Sequence, residues 1–138
     1  CDAIVYDKHG QAFPLASLCA GNAALIAFLQ PGGEPTEHFL NELYDAYERL
    51  SAVCRVVIVL PSSGSSSPAY ARFADKYGRI DTYIDADEVQ EPLARAAFKE
   101  PGDYPLLFLM GGYPDCRFAS AGYSVGSVEL IIKLAALI

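Results

Sequence analysis

Two apolar runs without alternation, Ala23–Leu29 (AALIAFL) and Arg55–Leu60 (RVVIVL), flank an amphipathic stretch, and this constrains the fold more than any other feature of the chain. A strand with one wet face alternates apolar and polar residues, whereas a continuous run fits a strand covered on both faces. Between the runs, from Pro35, the period changes: Phe39, Leu43, Ala46, Tyr47 and Leu50 recur at spacings of three and four, with Glu42, Asp45, Glu48 and Arg49 among the remaining positions. That spacing predicts a helix with one apolar stripe. Pro35 suits the first helical position, where a missing N–H costs nothing, and Glu37 puts negative charge in the first turn. Strand, helix and strand in that order make a crossover unit within one sheet.

The rhythm continues in both directions. After the second run, PSSGSSSP gives way to a helical pattern carrying Tyr70, Phe73, Ala74 and Tyr77 and closed by Gly78. Ile80–Ile84 reads as a third strand, and a helical segment capped at Asp87 or a neighbour runs through Phe98, broken near Pro92. Ala3–Tyr6 and Gln11–Leu15 flank Asp7-Lys8-His9-Gly10, a turn signature, so a short hairpin opens the chain. Leu106–Met110 and Cys116–Ser120 flank Gly111-Gly112-Tyr113-Pro114-Asp115 and form a second hairpin. Val125–Leu137 is then a closing helix, with Val128, Leu130, Ile131, Leu134 and Leu137 mostly inward. The expectation is an α/β fold: a central mixed β-sheet with helices on both faces and an N-terminal β-hairpin, in a single domain spanning residues 1–138.

Composition narrows the function. A chain of 138 residues can bury a core without disulfides or metals. At 52% hydrophobic and 20% charged it is not a disordered sequence, and no apolar run approaches the roughly 18 residues of a membrane span. The net charge is −7, and the ten Lys and Arg are scattered singly, which argues against nucleic acid as a partner. The sequence opens at Cys1 without an initiator Met, as a processed chain or an excised domain would. Two readings of Cys1 stand: a lipid-bearing first residue of a lipoprotein, which is the one route to a membrane here, or simply a cut point.

Taken together, several segments resemble one family. Asp7, Gly10, Leu15, Leu18 and Gly21 match an opening of the form D…G…L…L…G, and LIAF leads into the loop QPGGEPT. Tyr104-Pro105 precedes the strand LLFLM, and GGYPDCRFASAGY follows it. In order and spacing these resemble the thioredoxin-like fold, and within it the periplasmic thiol-disulfide reductase and peroxiredoxin (AhpC/TSA-like) group, over almost the whole chain. The resemblance implies a redox site at the start of the helix after LIAF, a cis-proline at Pro105, a mainly bacterial origin and an extracytoplasmic address. Reductases of that group carry Cys-x-x-Cys there, because the helix N-terminus lowers the thiol pKa. The matching positions here are Gly33, Glu34, Pro35 and Thr36, and none of them can supply a thiolate. Nor does the peroxiredoxin pattern find its sulfur, since His38 or Phe39 falls where it is needed.

The resemblance therefore implies architecture without the redox chemistry. What it leaves is a groove for an extended peptide or protein partner at Gln30, Pro31, Tyr104 and Pro105, through strand addition next to the proline. Tyr113 and Tyr123 offer further aromatic area. The competing expectation is a thiol-dependent oxidoreductase, a peroxidase or disulfide reductase, that uses a displaced cysteine. Four cysteines are present, Cys1, Cys19, Cys54 and Cys116, with no x-x spacing between any two. Cys54 precedes an apolar strand and reads as a small buried hydrophobe, the others as incidental, and three complete disulfide pairings remain open.

Other chemistry-bearing residues have ordinary explanations. His9 lies in a turn. His38, beside Glu34 and Glu37, could act as an acid or base, yet it has nothing evident to deprotonate. Asp85, Asp87 and Glu88 read as a helix cap with a solvated face rather than a metal site. PSSGSSSP lacks the lysine and spacing of a phosphate loop. No cofactor and no metal is expected from the sequence.

Overall fold

The computed structural model describes residues 4–7, 10–19, 23–29, 34–61, 80–85, 106–111, 116–122 and 126–137. Within them run β1 (Ile4–Tyr6), β2 (Ala12–Pro14), α1 (Leu15–Leu18), β3 (Ala24–Phe28), α2 (Glu34–Asp45), α3 (Tyr47–Ser51), β4 (Arg55–Pro61), β5 (Asp81–Asp85), β6 (Leu106–Met110), β7 (Cys116–Ala121) and α4 (Ser127–Ala135). The strands form one mixed sheet in the order β2-β1-β5-β4-β3-β6-β7. At its centre β3, β4 and β5 are parallel, and both flanks are antiparallel. The helices expected over residues 70–77 and 87–98 lie outside the described residues.

The unalternating runs are explained by two cores. Leu25, Ala27 and Leu29 of β3 and its extension, Val56, Ile58 and Leu60 of β4, and Leu107 and Leu109 of β6 pack on one face against Phe39, Leu40, Leu43, Leu50, Val128 and Ile131 from α2, α3 and α4. The intervening residues Ala24, Ile26, Phe28, Val57, Val59, Leu106, Phe108 and Met110 face the other way, with Val5, Leu15, Leu18 and Tyr83. Because side chains alternate along a strand, burial on both faces requires every position to be apolar. Phe28 and Phe108 meet edge to face at 5.8 Å between ring centres across the β3–β6 pair.

The N-terminal hairpin forms as the sequence predicts. Asp7 closes it: its N–H donates to the Gln11 carbonyl at 3.0 Å, its carbonyl accepts from Gly10 N–H at 3.0 Å, and its Oδ1 accepts from Gln11 N–H at 2.9 Å. Gly10 takes φ of +78°, a left-handed conformation that glycine adopts without a Cβ penalty. Strand β2 ends one residue earlier than expected. Pro14, at φ −64° and ψ 137°, turns the chain into the single-turn helix α1, and the Ser17 hydroxyl donates to the Pro14 carbonyl at 2.7 Å.

Two helices depart from the simple pattern. The helix over Pro35–Leu50 starts at Glu34 and is interrupted at Ala46 (φ −101°, ψ 7°), which separates α2 from α3. The apolar stripe passes through the break, since Ala46 and Leu50 are both buried. Of the set expected to face mostly inward, Val128 and Ile131 are buried and Leu134 is partly buried against the core, with Ala135 also buried, while Leu130 and, just past α4, Leu137 are exposed. The reason is angular: at 100° per residue, Leu130 lies well round the helix from the line through Val128, Ile131 and Ala135.

Candidate functional site

One end of the sheet brings together the described residues that border the segments the sequence singles out. Strand β3 leaves the ladder at Leu29, whose N–H still donates to the Val59 carbonyl at 3.0 Å, and α2 begins at Glu34. Strands β4 and β5 end together, with Pro61 registered on Asp85, and β6 starts with Leu106 registered on Phe28. The carboxyl ends of three parallel strands and the start of β6 therefore share this edge, where ligands bind in open α/β sheets. Glu34, Pro35 and Thr36 form the first turn of α2. A helix start leaves backbone N–H groups without partners inside the helix and carries the positive end of its dipole. Gln30, Pro31, Gly33, Tyr104 and Pro105 lie outside the described residues, as do His9, Asp87, Glu88, Tyr113, Tyr123 and the PSSGSSSP segment beyond Pro61. The described neighbours of the two key segments, Phe28–Leu29 and Leu106, stand side by side. His38 and Glu37 are exposed on α2, while Phe39 and Leu40 turn into the core.

The opposite edge holds the sulfur. Arg55 pairs with Ala24, Ala24 with Met110, and Met110 with Cys116, so the N-terminal ends of β3 and β4 lie beside the end of β6 and the start of β7. Cys54 immediately precedes Arg55, and the Arg55 Nη1 donates to the Leu18 carbonyl, next to Cys19, at 3.5 Å. Cys54 and Cys116 therefore stand at the opposite end of β3 from Phe28, a strand length of roughly 13 Å at 3.3 Å per residue, with Cys19 on their side through the Arg55–Leu18 contact. None of the three is in a disulfide. Burial pushes the Cys19 thiol up to about 11, with the Arg55 charge working weakly against it. Burial does the same to Cys54, also to about 11, against a hydrogen bond with the Leu25 backbone. Cys116 is exposed on the edge strand β7, and its thiol donates to the Phe118 carbonyl at 3.4 Å. The sequence pattern marks Cys54 as buried but not Cys19, which is equally enclosed at 1% exposure. Its signal is indirect, in the Leu15–Leu18 turn that carries it into the second core.

A cavity of about 410 Å³ also opens at this far edge, lined by Tyr47, Ser51, Ala52, Val53, Cys54, Arg55 and Val56. Nothing in the sequence announces it. The N–H groups of Ala52, Val53, Cys54 and Arg55 are all spent on carbonyls of Glu48, Leu50 and Ala23, so its backbone presents no cluster of free donors for an anion. Among the described residues no group of three or more His, Cys, Asp and Glu could hold a metal ion. Among the same residues, no helix is long and apolar enough to cross a membrane.

Two polar links brace α2 and α3 against α4. Helix α4 starts from Gly126 in a left-handed conformation with no side-chain cap of its own, and the Glu42 carboxylate accepts from Val128 N–H at 3.3 Å. A carboxylate there satisfies an orphan donor and suits the helix dipole. The Arg49 guanidinium forks onto Glu129 through both nitrogens, one at 3.2 Å. This exposed bond holds the Glu129 carboxyl below its ordinary value and Arg49 above its own.

No family model matches the chain, and no curated protein matches it either. Solved structures do. A thioredoxin-family thiol:disulfide interchange protein from Chlorobium tepidum superposes with a TM-score of 0.75 at 15% identity, over 98% of this chain and 93% of its own. An uncharacterized thioredoxin-like protein from Porphyromonas gingivalis gives 0.71 at 20% identity, covering 99% and 89% of the two chains. StoA from Bacillus subtilis gives 0.64 at 13%, covering 97% and 96%. At these identities the likeness speaks to architecture, and the architecture of this chain is the thioredoxin-like fold.

Proposed function

We propose that the chain is a thioredoxin-like domain without a Cys-x-x-Cys redox centre, and that it holds an extended peptide or protein partner at the edge where β3 gives way to α2 and β6 begins. The observation that carries this reading is the separation of sulfur from that edge: residues 30–40 contain no cysteine, and Cys19, Cys54 and Cys116 stand at the other end of β3. Gly33, Glu34, Pro35 and Thr36 take the positions of the missing motif. Gln30, Pro31, Tyr104 and Pro105 supply the groove, with backbone groups beside Pro105 pairing with the partner strand, a contact that needs no thiol. An extracytoplasmic address accompanies the reading, as the resemblance to the periplasmic thiol-disulfide group implies.

The second reading, a thiol oxidoreductase with a displaced cysteine, is favoured by one feature, the exposure of Cys116. Turnover separates the two. In an insulin-reduction assay driven by dithiothreitol, and in a peroxide-consumption assay, the native chain is expected to give the blank rate. The double variant Gly33→Cys/Thr36→Cys is expected to exceed that rate for insulin. Catalysis by the native chain that disappears in Cys116→Ser would establish the second reading instead. Binding is tested in parallel by isotope-labelled amide shifts during titration with cysteine-free extended peptides. The reading expects shifts at Phe28, Leu29 and Leu106, and shifts confined to the far edge would refute it.

A further inference from the structure

No further inference is drawn: the strongest candidate, the outer edge of β7, where Phe118–Ala121 carry no charge and no proline to guard an open strand, has nothing in the structure to show what covers it.

Discussion

The two ends of the central sheet differ in what the sequence has placed there. At the carboxyl ends of β3, β4 and β5 stand a helix start, which would lower the pKa of a thiol placed there, and the entry to β6, and no described cysteine is present. At the amino ends of β3 and β4 are three cysteines, two of them enclosed by hydrophobic side chains that oppose ionisation. The difference teaches that the placement of Cys19 and Cys54 follows packing. Cys19 and Cys54 behave as small apolar residues, which is the commonest role of a free buried cysteine.

The comparison can be broken from either end. The largest effect is expected at Phe28, which is 1% exposed, stacks edge-on to Phe108 and registers on Leu106 at the candidate site. Phe28→Ala should cost about 3–5 kcal/mol in urea unfolding, with the cavity adding to lost burial. At the far edge, Cys54→Ser should cost about 1–3 kcal/mol, because it buries a hydroxyl where a thiol sat. Cys116→Ser, at an exposed position, should stay within about 0.5 kcal/mol of the parent. Equal costs for the two serine variants would show that burial does not distinguish these cysteines.

Alkali offers a second test of the far edge. The thiols of Cys19 and Cys54 rise from an ordinary 9.0 to about 11 on folding, so between those values the folded chain holds protons that the unfolded chain has released. Stability is therefore full below about pH 9 and falls as pH rises towards about 11. The urea midpoint should drop across that window and drop less in Cys54→Ala, with each variant referred to its own midpoint at neutral pH. A midpoint that rises with pH there would reverse the sign of the argument.

Smaller effects test the brace that holds α2. Glu42→Ala removes the acceptor for Val128 N–H and should cost about 1 kcal/mol, read as a lower thermal midpoint, with Glu42→Gln recovering part of it. Arg49→Ala should leave the midpoint nearly unchanged, since a solvent-exposed ion pair contributes little and salt screens it.

Much of the fold was legible because its signals are redundant. The runs Ala23–Leu29 and Arg55–Leu60 announced two-sided burial, and the Asp7 and Gly10 turn announced its hairpin through a side-chain acceptor and a left-handed glycine. What escaped depended on tertiary choices. The α1 turn follows from Pro14 and Ser17 acting on four residues too few to show a period. The inward set of α4 contains Ala135 rather than Leu137, because position on the helix decides burial and hydrophobicity alone does not. The far-edge cavity arises where α3 ends against β4, a junction with no residue pattern of its own. Of the candidate site, the sequence supplied the residues and their chain order, and the sheet register adds that Phe28 and Leu106 are neighbours.

The central claim is that this chain carries no activated thiol, and alkylation of the native, mildly reduced protein across pH, read cysteine by cysteine by mass spectrometry, tests it most directly. The account predicts that Cys19 and Cys54 stay unmodified near neutral pH and gain reactivity only as pH approaches about 11. It also predicts that no cysteine of the chain titrates well below the ordinary value of 9.0. An accessible thiol that reacts with an apparent pKa far below that value would contradict the account and identify a nucleophile.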